Sequence, residues 1–225
     1  MSSTRRLQIV ITAGPTREPI DPVRFVSNYS TGYMGARLTA EALARGHRVT
    51  VIHGPITEPL PSAARTVAVE RSDEMARALR RFVKTADVII MAAAVSDFRP
   101  VRAATHKLSR RRELVLTLNA TPDLIGQMPR RAGQLVAGFA LETHRVLASA
   151  ARKLRTKRLD VLLAQEANGT RSPFGRRPVR AWLLTRDGSI TSLGRVSKSR
   201  VARLLLDKIE ALWYGQTRDK TPSWT

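Results

Sequence analysis

The residues best placed to do chemistry fall in three short segments, each leaving an apolar, strand-like run. They are Ala13-Gly14-Pro15-Thr16 after Leu7–Thr12, Ala92–Asp97 after Asp87–Met91, and Ala140–Thr143 after Leu135–Phe139. All three are rich in small or polar side chains. In an open α/β sheet the ligand sits outside the carboxyl ends of the strands, so loops of this kind converge on one site. Small residues there let a ligand approach the backbone, and polar ones orient it.

Several chemistries lack their residues. After the first strand, Gly14 is followed by no glycine until Gly32 and Gly35, so the G-x-G-x-x-G dinucleotide fingerprint is absent. The second strand ends at His53-Gly54 and not at the acidic residue that would hold a ribose. Both points count against an NAD(P)-dependent oxidoreductase. There is no Walker A lysine loop, and no serine in a nucleophile elbow. With no cysteine, the chain has neither a disulfide framework nor a thiolate nucleophile. His47, His53, His106 and His144 fall in no metal-ligand spacing and read as surface or loop residues.

The elements that must position these loops alternate. Leu7–Thr12, Val49–His53, Asp87–Met91, Leu135–Phe139 and Asp160–Ala164 read as buried strands. Between them, a stripe of Met34, Leu38, Ala42 and Leu43 marks a helix closed by Gly46. Ser72–Val83 reads as a helix with Ser72 as its N-cap and Asp73 and Glu74 in its first turn. Glu142–Leu154 reads as a third helix, and Glu113–Leu118 as an edge strand. Val179–Thr185 and Ile190–Leu193 flank the Asp187-Gly188 turn of a hairpin, and Ser197–Tyr214 forms a closing helix. The pattern predicts an α/β, Rossmann-like three-layer sandwich with a mainly parallel sheet and a C-terminal hairpin. Residues 1–214 make one domain, and 215–225 a polar tail that frays.

The 225 residues carry a net charge of +21. A nucleic-acid-binding protein is one reading of that charge, because Lys and Arg neutralise phosphates. Against it, the basic residues are spread along the whole chain and no aromatics interleave with them as a stacking platform requires. Nucleic acid is therefore disfavoured as the main partner. No apolar run approaches the roughly 18 residues of a membrane span, and Met1–Arg6 has no signal-peptide core. These features predict a cytoplasmic protein without a membrane partner.

Four blocks, in order, carry a family resemblance. Ile11–Phe25 (ITAGPTREPIDPVRF) looks like the opening of the phosphopantothenate–cysteine ligases. Ser27–Gly35 (SNYSTGYMG) is similar to their S-N-x-S-S/T-G-x-M-G segment, Ala92–Pro100 (AAAVSDFRP) to A-A-A-V-x-D-Y/F-x-P, and Gly138–Thr143 (GFALET) to G-F-x-x-E-T. In many bacteria this ligase is the C-terminal half of a fusion with a flavin-dependent decarboxylase. The chain is expected to be the free-standing form, with a separate decarboxylase as a candidate associate.

The resemblance implies joining of 4′-phosphopantothenate to cysteine, with CTP as co-substrate, Mg²⁺ as its counter-ion on unnamed ligands, and a homodimer. It implies Asn28 and Lys107 as catalytic residues, Asn28 holding the acyl-nucleotide intermediate and Lys107 reaching the triphosphate from a mobile loop. It assigns the nucleotide to Gly14, Ala92, Ala93, Asp97, Lys107, the segment Thr121, Pro122, Asp123 and Leu124, then Phe139, Lys153 and Lys157. The last two, spaced i, i+4, share a helix face, where like charges favour a common anion. The chain departs from the family at three places: Lys107-Leu108-Ser109-Arg110 for K-x-K-K, Thr121 for the asparagine of N-P-D-I/L, and Ala164-Gln165-Glu166-Ala167 where A-N-D is common.

Overall fold

The computed structural model describes residues 5–167 and 173–218. In chain order the first elements are β1 (Gln8–Ala13), β2 (Arg17–Pro19), β3 (Phe25–Ser27), α1 (Tyr33–Ala44), β4 (Arg48–His53), β5 (Arg65–Ala68) and α2 (Ser72–Val83). There follow β6 (Val88–Met91), β7 (Phe98–Pro100), β8 (Leu118–Ala120), β9 (Leu135–Glu142) and α3 (Val146–Thr156). Then come β10 (Val161–Glu166), β11 (Val179–Thr185), β12 (Ile190–Val196) and α4 (Lys198–Arg218).

Eight strands form one sheet in the order β12-β11-β10-β9-β6-β1-β4-β5. The strands from β10 through to β5 are parallel, and β11 runs antiparallel between β10 and β12. The chain order reverses between β1 and β6, which pair with Thr12 beside Met91. That is a topological switch point, where loops part and leave a crevice.

Alternation along buried strands divides the core between two faces. Ile9 and Ile11 of β1 join Leu38 and Ala42 of α1 and Val201, Leu205 and Ile209 of α4 on one side. Val10 joins Met75 and Leu79 of α2 and Ala150 and Leu154 of α3 on the other. Helices therefore cover both faces of the sheet, as the alternation of elements predicted. Among the described residues no helix is long and apolar enough to cross a membrane.

The structure corrects several expectations. Arg71, not Ser72, caps α2. Ser72 is the first helical residue, and its N–H donates to the buried Glu18 Oε1 at 2.9 Å. A carboxylate from β2 thus joins the local Glu74, which accepts the Arg71 N–H at 3.3 Å, in satisfying the start of α2. Glu113–Thr117 is not a strand; only Leu118–Ala120 pairs, with Phe98–Pro100. The alternating pattern was real, but both of its faces are exposed and no strand pairs with it. The segment read as a helix from Glu142 begins as strand: β9 runs to Glu142, paired with Glu166 of β10, and α3 starts at Val146. Between β1 and α1, where no strand was expected, β2 and β3 pair as a small antiparallel hairpin. His47 is buried, its Nδ1 accepting the Leu7 N–H at 3.3 Å and its Nε2 2.7 Å from Glu210. Finally, α4 continues past Tyr214 to Arg218, while the tail from 219 lies outside the described residues.

Glu18→Ala is expected to destabilise the protein by about 1–3 kcal/mol, because it strands a buried donor at the start of α2. Urea unfolding of the variant checks this; an unchanged midpoint would mean that water replaces the carboxylate.

Candidate functional site

The site begins with the way three strand exits are fastened together. The Ala94 N–H donates to the Gly14 carbonyl at 2.8 Å, the Ala93 N–H to Thr12 Oγ1 at 3.2 Å, and the Ser96 N–H to Thr16 Oγ1 at 3.0 Å. The loops after β1 and β6 are thereby laced across the switch point. Gly14 supports this with φ +74°, a conformation natural to glycine. The loop after β4 closes in as well: a Cβ on Gly54 would lie 1.6 Å from the Pro15 carbonyl oxygen. Only glycine lets these backbones touch.

Above the lacing lies a cavity of about 680 Å³. One wall is backbone and small side chains, Ala92 to Val95. Another is the start of α1, with Thr31, Tyr33 and Met34. Further wall comes from Thr121 to Ile125, Phe139 and Leu141. Thr121 is tied to the β6 exit twice, by its N–H to the Asp97 carbonyl at 2.9 Å and by its hydroxyl to the Ser96 carbonyl at 2.6 Å.

The charged groups are unequal. Lys153 and Lys157 both reach the cavity, as do Asp97 and Asp123. Lys157 is ion-paired to Asp123. Burial would raise the Asp123 pKa, but Lys157 and the Gly126 N–H hold its carboxyl below the usual range. Lys153 donates to the Phe139 carbonyl at 2.8 Å. Burial pushes its ammonium below the usual lysine range, against the pull of Glu142 and Asp97. A desolvated cation facing a cavity is a favourable place for an anion.

A family model described as the DNA/pantothenate metabolism flavoprotein C-terminal domain matches residues 4–212. The chain belongs to this family. Among its curated relatives is the coenzyme A biosynthesis bifunctional protein CoaBC of Bacillus subtilis, 35% identical over 207 residues and matched over 91% of this chain and 51% of that one. The Mycobacterium tuberculosis CoaBC is 38% identical over 216 residues, 90% of this chain and 51% of that one. This chain thus spans about half the length of the curated relatives it matches. The crystal structure of a CoaBC C-terminal domain superposes with a TM-score of 0.79 at 34% identity, covering 95% of this chain and 100% of that one. The match confirms the Rossmann-like α/β architecture.

Within this flavoprotein C-terminal domain, the residues singled out from sequence divide into two groups. Asn28, Ala92, Ala93, Asp97, Thr121 to Leu124, Phe139, Lys153 and Lys157 all line the one cavity. Gly14 and Lys107 do not. Gly14 lies buried beneath, fastening the lacing. Lys107 is exposed; its neighbour Leu108 is held by Asp21 Oδ2 at 3.0 Å and by Arg24 Nη2 at 2.6 Å. Asn28 has a role not read from sequence. Its Nδ2 donates to the carbonyls of Ala94 at 2.9 Å and Val95 at 3.1 Å, so it bridges the two exit loops across the cavity mouth.

Tyr33, Phe174, Gln165 and Lys198 also line the cavity and were missed. Lys198 had a signal. It is the first residue of α4, where the helix dipole disfavours a cation. It is buried as well, and burial pushes its pKa from 10.5 down to about 8. Between those values the unfolded chain binds more protons than the folded one, so stability gains with pH across this window. The unfolding free energy of wild type minus that of Lys198→Met is expected to stay flat below pH 8 and rise from about 8 to 10.5. A flat difference throughout would mean that Lys198 is solvated.

Proposed function

We propose that this chain is a phosphopantothenate–cysteine ligase that activates a carboxylate with CTP. The pantothenate carboxylate attacks the α-phosphate of CTP, forming an acyl-cytidylate and releasing pyrophosphate. The cysteine amine then attacks the acyl carbon, forms the amide and expels CMP. The observation that carries this reading is the cavity at the switch point. It gathers the small-residue wall Ala92–Val95, the α1 N-terminus and the desolvated Lys153 in the family that includes the CoaBC C-terminal domain.

The physical demand of the first step is stabilisation of negative charge on the triphosphate and on the reacting phosphorus. Lys153 and Lys157 supply charge, and the N-terminal end of α1, which borders the cavity, supplies an oriented helix dipole. Lys157 is released for this when its ion pair with Asp123 opens. Mg²⁺ would neutralise the triphosphate. Among the described residues no three ligating side chains cluster, so the ion would take most of its ligands from phosphate oxygens and water. Asn28 gives up one backbone carbonyl and turns that N–H to the activated acyl group, holding it for the amine. Lys107 would have to swing inward from its exposed loop.

The working molecule is proposed to be a cytoplasmic homodimer. Phe25, Phe98, Val101, Leu114, Val115 and Leu116 are exposed apolar side chains carried by the two small hairpins and the segment between β7 and β8. The hairpins are joined through the Ala104 N–H to the Ile20 carbonyl at 2.8 Å, so they project as one unit. A second copy would cover this patch. A separate decarboxylase acting on the amide product is the expected functional neighbour.

Asn28→Ala is expected to keep releasing pyrophosphate from CTP and phosphopantothenate while amide formation falls on the order of 10²-fold. Pyrophosphate and amide assayed in parallel check it; equal loss of both would remove Asn28 from the second step. Val115→Glu with Leu116→Glu is expected to convert a dimer to a monomer by light scattering, and a wild-type monomer would refute the dimer.

A further inference from the structure

Lys198 is an odd residue for its position. It opens α4, where Ser197 Oγ already accepts the Arg200 N–H at 3.3 Å. It is only 5% exposed, and among the described residues no carboxylate pairs with it. A buried ammonium is costly unless its protons find acceptors. Its acceptors are two backbone carbonyls, Pro173 O and Gly175 O, each at 2.7 Å.

Those carbonyls flank one residue, Phe174. Pro173, Phe174, Gly175 and Lys198 all line the cavity. Beyond Gly175, which turns the chain at φ +71°, the Arg176 guanidinium pairs with Glu58 at 3.2 Å and lies 5.8 Å from the centre of the Tyr33 ring. Tyr33 belongs to the α1 wall of the same cavity. The segment is therefore a strap, and Lys198 and Arg176 both fasten it. The Arg176 fastening is exposed on its cationic side, and such pairs contribute little. The Lys198 fastening is buried and charge-assisted, so it holds the strap. Lysine suits this position because one ammonium donates in several directions at once, which a hydroxyl or an amide oxygen does not.

We propose that Lys198 is a positioning residue. It clamps the backbone on both sides of Phe174 and thereby sets the wall that the ligand meets. Lys198 acts through Phe174 and not on the reacting atoms. The identity of that ligand as a nucleoside triphosphate rests on the ligase reading above, but the clamp does not.

The test has two arms, both on the full chain. Hydrogen exchange without ligand reads the clamp directly. Lys198→Met is expected to speed exchange over residues 174–177 by about tenfold or more, with the sheet unchanged. The kinetic arm is a double-mutant cycle on KM for CTP. Phe174→Ala and Lys198→Met are each expected to raise KM several-fold with a smaller effect on kcat, and in the Phe174→Ala background Lys198→Met is expected to add less than about twofold. Lys198→Arg, which keeps a charged group with several donors, is expected to recover most of the protection. If Lys198→Met does not fold, Lys198→Gln, with donors but no charge, carries both arms. Unchanged exchange over 174–177, or an equal Lys198 effect with and without Phe174, overturns the proposal. A wild-type chain that binds no CTP would count against the ligase reading; the exchange arm would still judge the clamp.

Discussion

The site depends on one backbone contact, the Ala94 N–H on the Gly14 carbonyl, which joins the exits of β1 and β6. In a doubly wound sheet the chain leaves these two strands in opposite directions, and a crevice opens between them. Here the crevice is bridged at its base. Gly54 stands where it does because the Pro15 carbonyl leaves no room for a Cβ, and Gly14 because its φ of +74° and the Ile56 side chain both exclude one. Thr12 and Thr16 complete the bridge by offering their hydroxyls to Ala93 and Ser96. Raising the floor in this way turns an open crevice into a cavity with a backbone wall. The same bridge sets the distance across which Asn28 reaches Ala94 and Val95.

What the sequence disclosed was governed by local physics. Buried parallel strands announce themselves as β-branched runs, and Gly46 ends α1 in a left-handed turn as its position after the apolar stripe predicted. The three small-residue loops were legible for a related reason: their composition is what a backbone-lined site needs. The failures were non-local. Ser72 reads as a cap only if nothing else satisfies α2, and Glu18 does so from 54 positions away in the chain. Glu142 reads as a helix start until β10 lies alongside and extends the ladder. Glu113–Thr117 alternates as a strand does, yet has no sheet to join. Lys198 was overlooked because a cation at a helix start is a weak signal on its own, and the carbonyls that accept from it are set by the fold and not by residue type.

Charge is distributed with more discrimination than the +21 total suggests. Many basic side chains lie exposed, among them Arg110, Arg111 and Arg112. Lys198 differs from them in being buried and Lys153 in being partly so, and each donates to carbonyl oxygen. Their burial is a cost in the folded state, and a bound anion would offset it for Lys153. Cavity and charge both support the proposed ligand chemistry, a phosphorylated anion held against backbone.

The central claim is nucleotide-driven amide formation in this cavity. It is tested most directly by incubating the chain with phosphopantothenate and cysteine against a panel of nucleoside triphosphates and following pyrophosphate. The expected result is pyrophosphate released with CTP, in step with amide formation. Absence of pyrophosphate with every nucleotide, or release indifferent to phosphopantothenate, would contradict the account.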